Sequence, residues 1–368
     1  MAALPRARSQ CSGHVCRSLR RRHAPDALIS PDVLRLYHAD GRVVDAGDTV
    51  PGRAQLAECA WIDLSTPAPE QIAAVEDVFG IDLPDTAEMG EIEASSRVYR
   101  DGDASYMTAL LVAGFERSDV PIETPVTFVL TKGGQLVTIR YSDPLAFRTA
   151  AGESGRRPPN AGGLTLLLYL LDLIVDRTAD ILEHLNAGID RISHRIFGRD
   201  EARPDRRLSP GALQEILRQI GHVQFTVNKV HASLQTLSRI IIFLNVTGTG
   251  NVVAADRKTI PRGDRDALKS LGRDISGLTE NAIYVMQNVF FLLDAAVGRI
   301  SIEQNIIIKL LSVASVTLLP PTLIAGIYGM NFAHMPELAQ PWGYPLALLL
   351  MLMAAILPLF WLRRKGWL

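Results

Sequence analysis

Two uninterrupted apolar runs near the C-terminus constrain this chain more than anything else in it. Ile306 to Ile327 is apolar for about 22 residues, broken only by Lys309, and Gly343 to Leu362 continues for about 20 without a charge. Each is long enough to cross a bilayer core of roughly 30 Å as a helix. The stretch between them, 328–342, is too short for a domain. The sequence therefore predicts two membrane spans, at 306–327 and 343–362, the first preceded by some 300 residues.

Basic residues set the orientation. Arg363, Arg364 and Lys365 follow the second span in the tail 363–368, and Lys309 marks the entry to the first. The loop holds neither Lys nor Arg and one acid, Glu337. The positive-inside bias then puts both chain ends in the cytoplasm and the loop outside, with an inner (plasma) membrane location. Over the whole chain 38 Lys and Arg nearly balance 39 Asp and Glu, which gives no basic field for a nucleic-acid partner. Cys11, Cys16 and Cys59 match neither a disulfide framework nor a zinc site, which suits a reducing compartment for the soluble part. No apolar segment follows the arginines of residues 1–30, so these read not as a secretory signal but as a basic, disordered tail, or as the product of a start codon placed too far upstream.

Residues 31–160 read as a small α+β domain. Asp40-Gly41, Asp101-Gly102 and Gly133-Gly134 each sit between alternating apolar stretches and predict hairpin turns. "CAWIDLS" predicts a buried strand, and "PEQIAAVEDVFG" a helix stopped by Gly80. Ser142-Asp143-Pro144 predicts a helix cap with proline in the first turn. From 161 to 305 the pattern is helical: Leu164–Phe197, then Leu208 to about Asn245, then a helix from near Asp264 that meets no proline until Pro320. Running unbroken into the first span, that third helix covers about 60 residues, or ~90 Å, and predicts a stalk packed against copies of itself.

Enzyme signatures are missing. There is no Gly-x-Ser-x-Gly, P-loop or His-Glu-x-x-His, and "GTGNVV" has Val253 where a dinucleotide-binding loop needs its third glycine. The chain reads as no enzyme and as needing no organic cofactor. The long helix is more informative. Asp294, Val297, Ser301, Asn305, Ile308, Ser312, Ser315, Leu319, Thr322 and Gly326 recur at 3/4 spacing on one face, flanked by Leu, Ile and Val. Polar groups at membrane depth require a partner or water. Small-residue packing with hydroxyls bonded to their own helix explains the serines and Thr322. Asn305 and Asp294 fit better on the inner wall of a ring of protomers. A second stripe, Asp172, Asp176, Asp180 and Glu183, reads as a solvated acidic face or a concentrator of cations.

"IAGIYGMNFAHMPELAQPWGYP", followed by a second span and "RRKGWL", resembles the CorA family of magnesium transport proteins; "AWIDL" and "EIEASSRVY" carry the likeness upstream. The resemblance implies a CorA-like homopentameric funnel: an α+β cytoplasmic domain, long stalk helices and two C-terminal transmembrane helices, the first lining the pore. It implies Gly329, Met330 and Asn331 as the selectivity motif, with Glu337 at the outer mouth and Arg363, Arg364 and Lys365 as a basic cytoplasmic ring. It also implies Mg2+ as transported and regulatory ion, with a regulatory site near Asp266 and Asp274. Asparagine amides suit a hydrated Mg2+, which gives up water reluctantly. Co2+ and Ni2+ are expected as mimics, and a zinc transporter of the related ZntB type is the alternative. The expected partners are other copies of the chain, the lipid bilayer and divalent cations.

Overall fold

The computed structural model describes residues 33–47, 49–91, 93, 97–115, 121–152, 158, 161–198, 210–247, 261–330 and 340–366. These fall into two units. One takes in the described residues up to Gly198 together with Arg218–Phe290; the other takes in the start of the second long helix and everything from Phe291 on. The expected tail 1–30 lies outside the described residues.

The first unit opens with strands β1 (Val33–His38) and β2 (Val43–Gly47), then helix α1 (Arg53–Ala57), strand β3 (Cys59–Ser65) and helices α2 (Pro69–Phe79) and α3 (Thr86–Met89). Strands β4 (Val98–Asp101), β5 (Ala104–Ala113), β6 (Ile122–Leu130) and β7 (Leu136–Arg140) follow, then helix α4 (Leu145–Gly152). All seven strands join one sheet in the order β2-β1-β3-β7-β6-β5-β4. Every pairing is antiparallel except β3 with β7, where Ile62 faces Val137 and Leu64 faces Ile139. That central pair is covered on both faces, so β3 and β7 are almost wholly buried.

The three expected hairpins form. Gly41, Gly102 and Gly134 take φ of 90°, 55° and 80°, a region that only glycine enters without strain. Gly80 closes α2 in the left-handed conformation, as its place in the sequence predicts. Leu34, Leu36, Ile62, Leu64, Val129, Val137 and Ile139 of the sheet pack with Leu56, Val75 and Met89 of the short helices into the core.

One expectation is corrected. Neither Ser142 nor Asp143 caps α4. The Ser142 hydroxyl pairs with that of Thr124 at 2.6 Å, and the Asp143 carboxylate takes Arg140 at 3.2 Å and Arg148 at 3.6 Å. The backbone amides of Phe147 and Arg148 bond instead to the carbonyl of Pro144.

Three long helices complete the fold: α5 (Gly163–Phe197), α6 (Pro210–Thr247) and α7 (Arg262–Tyr328). Helix α5 buries a stripe that includes Leu167, Leu171, Ile174, Ile181, Leu185, Ile189 and Ile196, the 3/4 spacing of a helix with one apolar face. Its first residue is pinned to the sheet: Gly163 N–H donates to the carbonyl of Gly134 at 2.7 Å, and a Cβ there would sit 2.5 Å from that oxygen. Thr165 Oγ1 donates to Asp264 at 3.0 Å and Asn186 to Asn281 at 3.1 Å, which sets α5 beside α7. Thr236 of α6 accepts the amide of Leu110 at 3.1 Å, tying α6 to β5. Helix α7 runs 67 residues without a break and passes straight through Pro320 and Pro321. The last helix is α8 (Gly343–Arg364), also with an internal proline, Pro358.

Candidate ion pathway along helix α7

Helices α7 and α8 each contain a window apolar enough to cross a membrane, with mean hydropathy of 1.9 and 2.4, and only 6% of each window is buried. Apolar helices left open in a single chain need lipid or further copies around them.

The sequence-predicted residues of α7 all lie on one exposed face. Taking about 100° per residue, Asp294, Asn305, Ile308, Ser312, Ser315, Leu319, Thr322 and Gly326 fall within roughly 100° of arc. Ser315, Leu319, Thr322, Gly326 and Met330 line one open, mostly apolar groove of about 880 Å³, together with Leu311, Leu318 and Leu323. The groove reaches Met330 of the Gly-Met-Asn motif. Gly329 N–H closes the helix on the carbonyl of Ala325 at 2.9 Å, and a Cβ on Gly329 would come within 3.0 Å of that same oxygen. Gly329 thus ends the helix, and a Cβ on Gly326 would meet nothing within 4 Å. Asn331 and Glu337 lie outside the described residues.

Three hydroxyls of this face are satisfied locally. Ser301, Ser315 and Thr322 donate to the carbonyls of Val297, Leu311 and Leu318 at 3.2, 2.9 and 2.7 Å. Their oxygens keep lone pairs outward, so they can still accept from water. Prolines 320 and 321 have no N–H, and so Val316 and Thr317 lose the donors that a regular helix supplies to their carbonyls. The sequence reading located Pro320 but drew nothing from the pair.

At the other end, Arg363, Arg364 and Lys365 are exposed at the close of α8, where positive charge complements the helix dipole. Lys365 Nζ also lies 4.5 Å from the Trp361 ring centre.

Among the described residues no three His, Cys, Asp or Glu side chains gather as a metal site. Asp266 and Asp274 stand exposed two turns apart on α7, and Asp274 accepts a long bond from Ser270 at 3.4 Å. The Asp172 carboxyl is held above its ordinary range, first by partial desolvation and then by the charges of Asp176 and Asp274.

The sequence reading missed the most buried charges of the first unit. Asp63 and Arg140, 1% and 0% exposed, meet in a fork with Nη2···Oδ2 of 3.0 Å and Nε···Oδ1 of 3.1 Å. Thr138 donates to Asp63 at 2.8 Å, and Trp61 donates to Thr138 at 3.0 Å. Burial lowers the Arg140 pKa, and the Asp63 carboxylate more than offsets it, so the net displacement is upward. The signal was an acid inside an otherwise apolar strand, "AWIDL". The pair fixes β3 to β7 and has no solvent access.

A sheet domain, three long helices and a last helix with a basic end, with exposed apolar windows on α7 and α8, are the parts expected of a membrane protein of the two-span transporter class. Residues 57–364 match the family of CorA-like Mg2+ transporter proteins, and the chain belongs to that family. It is 32% identical over 331 residues to the magnesium transport protein CorA of Pasteurella multocida, covering 89% of this chain and 98% of that protein. The magnesium transport protein CorA of Salmonella typhimurium is 32% identical over 315 residues, 85% of this chain and 93% of its own. Among solved structures, the complete CorA magnesium transporter of Methanocaldococcus jannaschii superposes with a TM-score of 0.66 at 19% identity, over 91% of this chain and 98% of that one. The full-length CmaX protein gives 0.61 at 17%, over 94% and 100%. The CorA fold expected from the sequence is therefore the fold observed.

Proposed function

We propose that this chain conducts Mg2+ through a ring of five copies in the inner membrane, with the face of α7 from Asp294 to Gly326 turned toward the axis and both termini cytoplasmic. The observation that carries this reading is the groove of Ser315, Leu319, Thr322, Gly326 and Met330, which runs along this face of the first span to Met330 of the Gly-Met-Asn motif. Asn331 supplies a ring of amide oxygens that holds the outside of a hydrated ion, and Glu337 attracts divalent cations to the mouth. Residues 306–327 and 343–362 are the spans, 328–342 the outer loop, and Arg363 to Lys365 the basic ring at the cytoplasmic face. Membrane potential drives entry, at about 2.3 kcal/mol per charge per 100 mV, or about 4.6 for Mg2+. Co2+ and Ni2+ pass as mimics. Cytoplasmic Mg2+, bound between neighbouring copies near Asp266 and Asp274, holds the stalks together and closes the ring.

Uptake by proteoliposomes with Mg2+, Co2+, Ni2+ or Zn2+ outside tests this, with wild type and Asn331→Ala side by side. Mg2+ flux that falls at least tenfold in the variant supports it. Zn2+ flux with none for Mg2+ would favour the ZntB-type alternative, and equal flux in the two proteins would refute a role for Asn331.

A further inference from the structure

In the first unit, α5 and α6 enclose a cavity of about 540 Å³ whose charged lining is of one sign. Arg177, His184 and Arg191 come from α5, Arg218 and His222 from α6, and Phe115 from just beyond β5. No carboxylate is among the lining residues.

The arrangement follows from helix periodicity. Arg177, His184, Gly188 and Arg191 fall within an arc of about 60° on α5, whereas Asp172, Asp176, Glu183 and Asp190 lie about 90° or more from its centre. Asp180 is the acid nearest that face, and it pairs with Arg177 at 3.6 Å. The remaining walls are ordered. Phe115 meets His184 edge-on at 5.3 Å, and the Arg177 guanidinium lies 5.9 Å from the Phe115 ring centre. Leu185 and Ile192 make part of the lining apolar. His222 Nε2 is a buried nitrogen with no hydrogen-bond partner among the described residues. A Cβ on Gly188 would meet only Arg191 at 3.8 Å and Val223 at 3.9 Å, so there is room beside it.

We propose that this cavity binds a small polyphosphate anion, of the nucleoside triphosphate class. Guanidinium forks match phosphate oxygens in pairs, and three of them with two imidazoles suit several phosphates in a row. The Phe115 ring and the apolar wall suit a base, and the volume is that of a small-molecule site. The inference does not rest on ion conduction, and its test reads binding alone.

The test is calorimetric titration of ATP into the detergent-solubilised full chain, with EDTA present so that no metal bridges the two. Expected are saturable binding to wild type, displacement by tripolyphosphate, and affinity at least tenfold lower in Arg191→Glu and in Arg218→Glu. Gly188→Leu fills the space without altering charge and is expected to weaken binding equally; an unchanged melting curve shows that it folds. Absence of binding, equal affinity in wild type and Gly188→Leu, or displacement by adenosine as effective as by tripolyphosphate would each overturn the proposal.

Discussion

Removing one member of the Asp63–Arg140 pair tests how the sheet is held. Both side chains are sealed from water, and Asp63 accepts three bonds, two from Arg140 and one from Thr138. Asp63→Ala leaves a guanidinium buried, with the Ser142 carbonyl at 2.6 Å and the partly exposed Asp143 as its remaining acceptors. Arg140→Ala leaves a carboxylate held by Thr138 alone of those donors. Stranding a buried charge in this way costs about 3–5 kcal/mol. At about 2–4 °C per kcal/mol for a unit of this size, each single variant melts about 6–20 °C below wild type. Asp63→Leu with Arg140→Met removes both charges and keeps the volume, so it is expected within about 2 kcal/mol of wild type. Trp61 reports the transition directly, because its indole is buried, stacked on Tyr37 at 3.9 Å, and bonded into the same network. Its emission during thermal unfolding of the solubilised protein gives the midpoint. A double variant that loses the sum of the two singles would refute the reasoning, since the charges would then act independently.

Three further outcomes are expected. Gly326→Leu, placed where a Cβ meets nothing, keeps the melting temperature but reduces Mg2+ uptake severalfold, whereas Gly329→Ala meets the Ala325 carbonyl and perturbs the helix end itself; equal uptake in Gly326→Leu and wild type would move the groove off the ion path. Gly163→Ala drives a methyl into the Gly134 carbonyl, and a loss of about 1–3 kcal/mol in the thermal melt is expected as α5 is pushed from the sheet. Cys59 is buried and its thiol is pushed up to about 11, by burial first and then by Glu58. Between pH 9 and 11 the unfolded thiol therefore loses its proton while the folded one keeps it, and this contribution to stability falls as pH rises; melts of Cys59→Ala against wild type across that window isolate it.

The parts of the fold that were legible in the sequence are those governed by local chemistry. Gly41, Gly102 and Gly134 announced their turns because the turns require positive φ, and α7 announced its length because nothing before Pro320 interrupts it. The parallel β3–β7 pair was not legible, since Trp61 and Leu136 meet across a long stretch of intervening chain. The misreading of Ser142-Asp143-Pro144 has the same origin: the residues look like a cap locally, but Thr124 and Arg140 claim them first. Two short helices, Arg53–Ala57 and Thr86–Met89, are too brief to show a period. On α7, the 3/4 spacing brought out the groove residues Ser315, Leu319, Thr322 and Gly326, and the Cβ geometry adds that Gly326 has open space where Gly329 faces the Ala325 carbonyl. The cavity between α5 and α6 went unread because its two halves lie on different helices, and the acidic stripe drew attention from the basic face beside it.

Pro320 and Pro321 carry a consequence for how such a chain reaches its working form. Two successive carbonyls, at Val316 and Thr317, lose their helix donors in the middle of a segment that has to enter lipid. In hydrocarbon each such oxygen costs several kcal/mol unless a donor reaches it. A lone protomer would leave those oxygens facing the acyl chains, whereas in the proposed ring neighbouring copies, or water enclosed by them, would supply the missing donors. If the ring forms, insertion and assembly are coupled, and the prolines penalise the unassembled span.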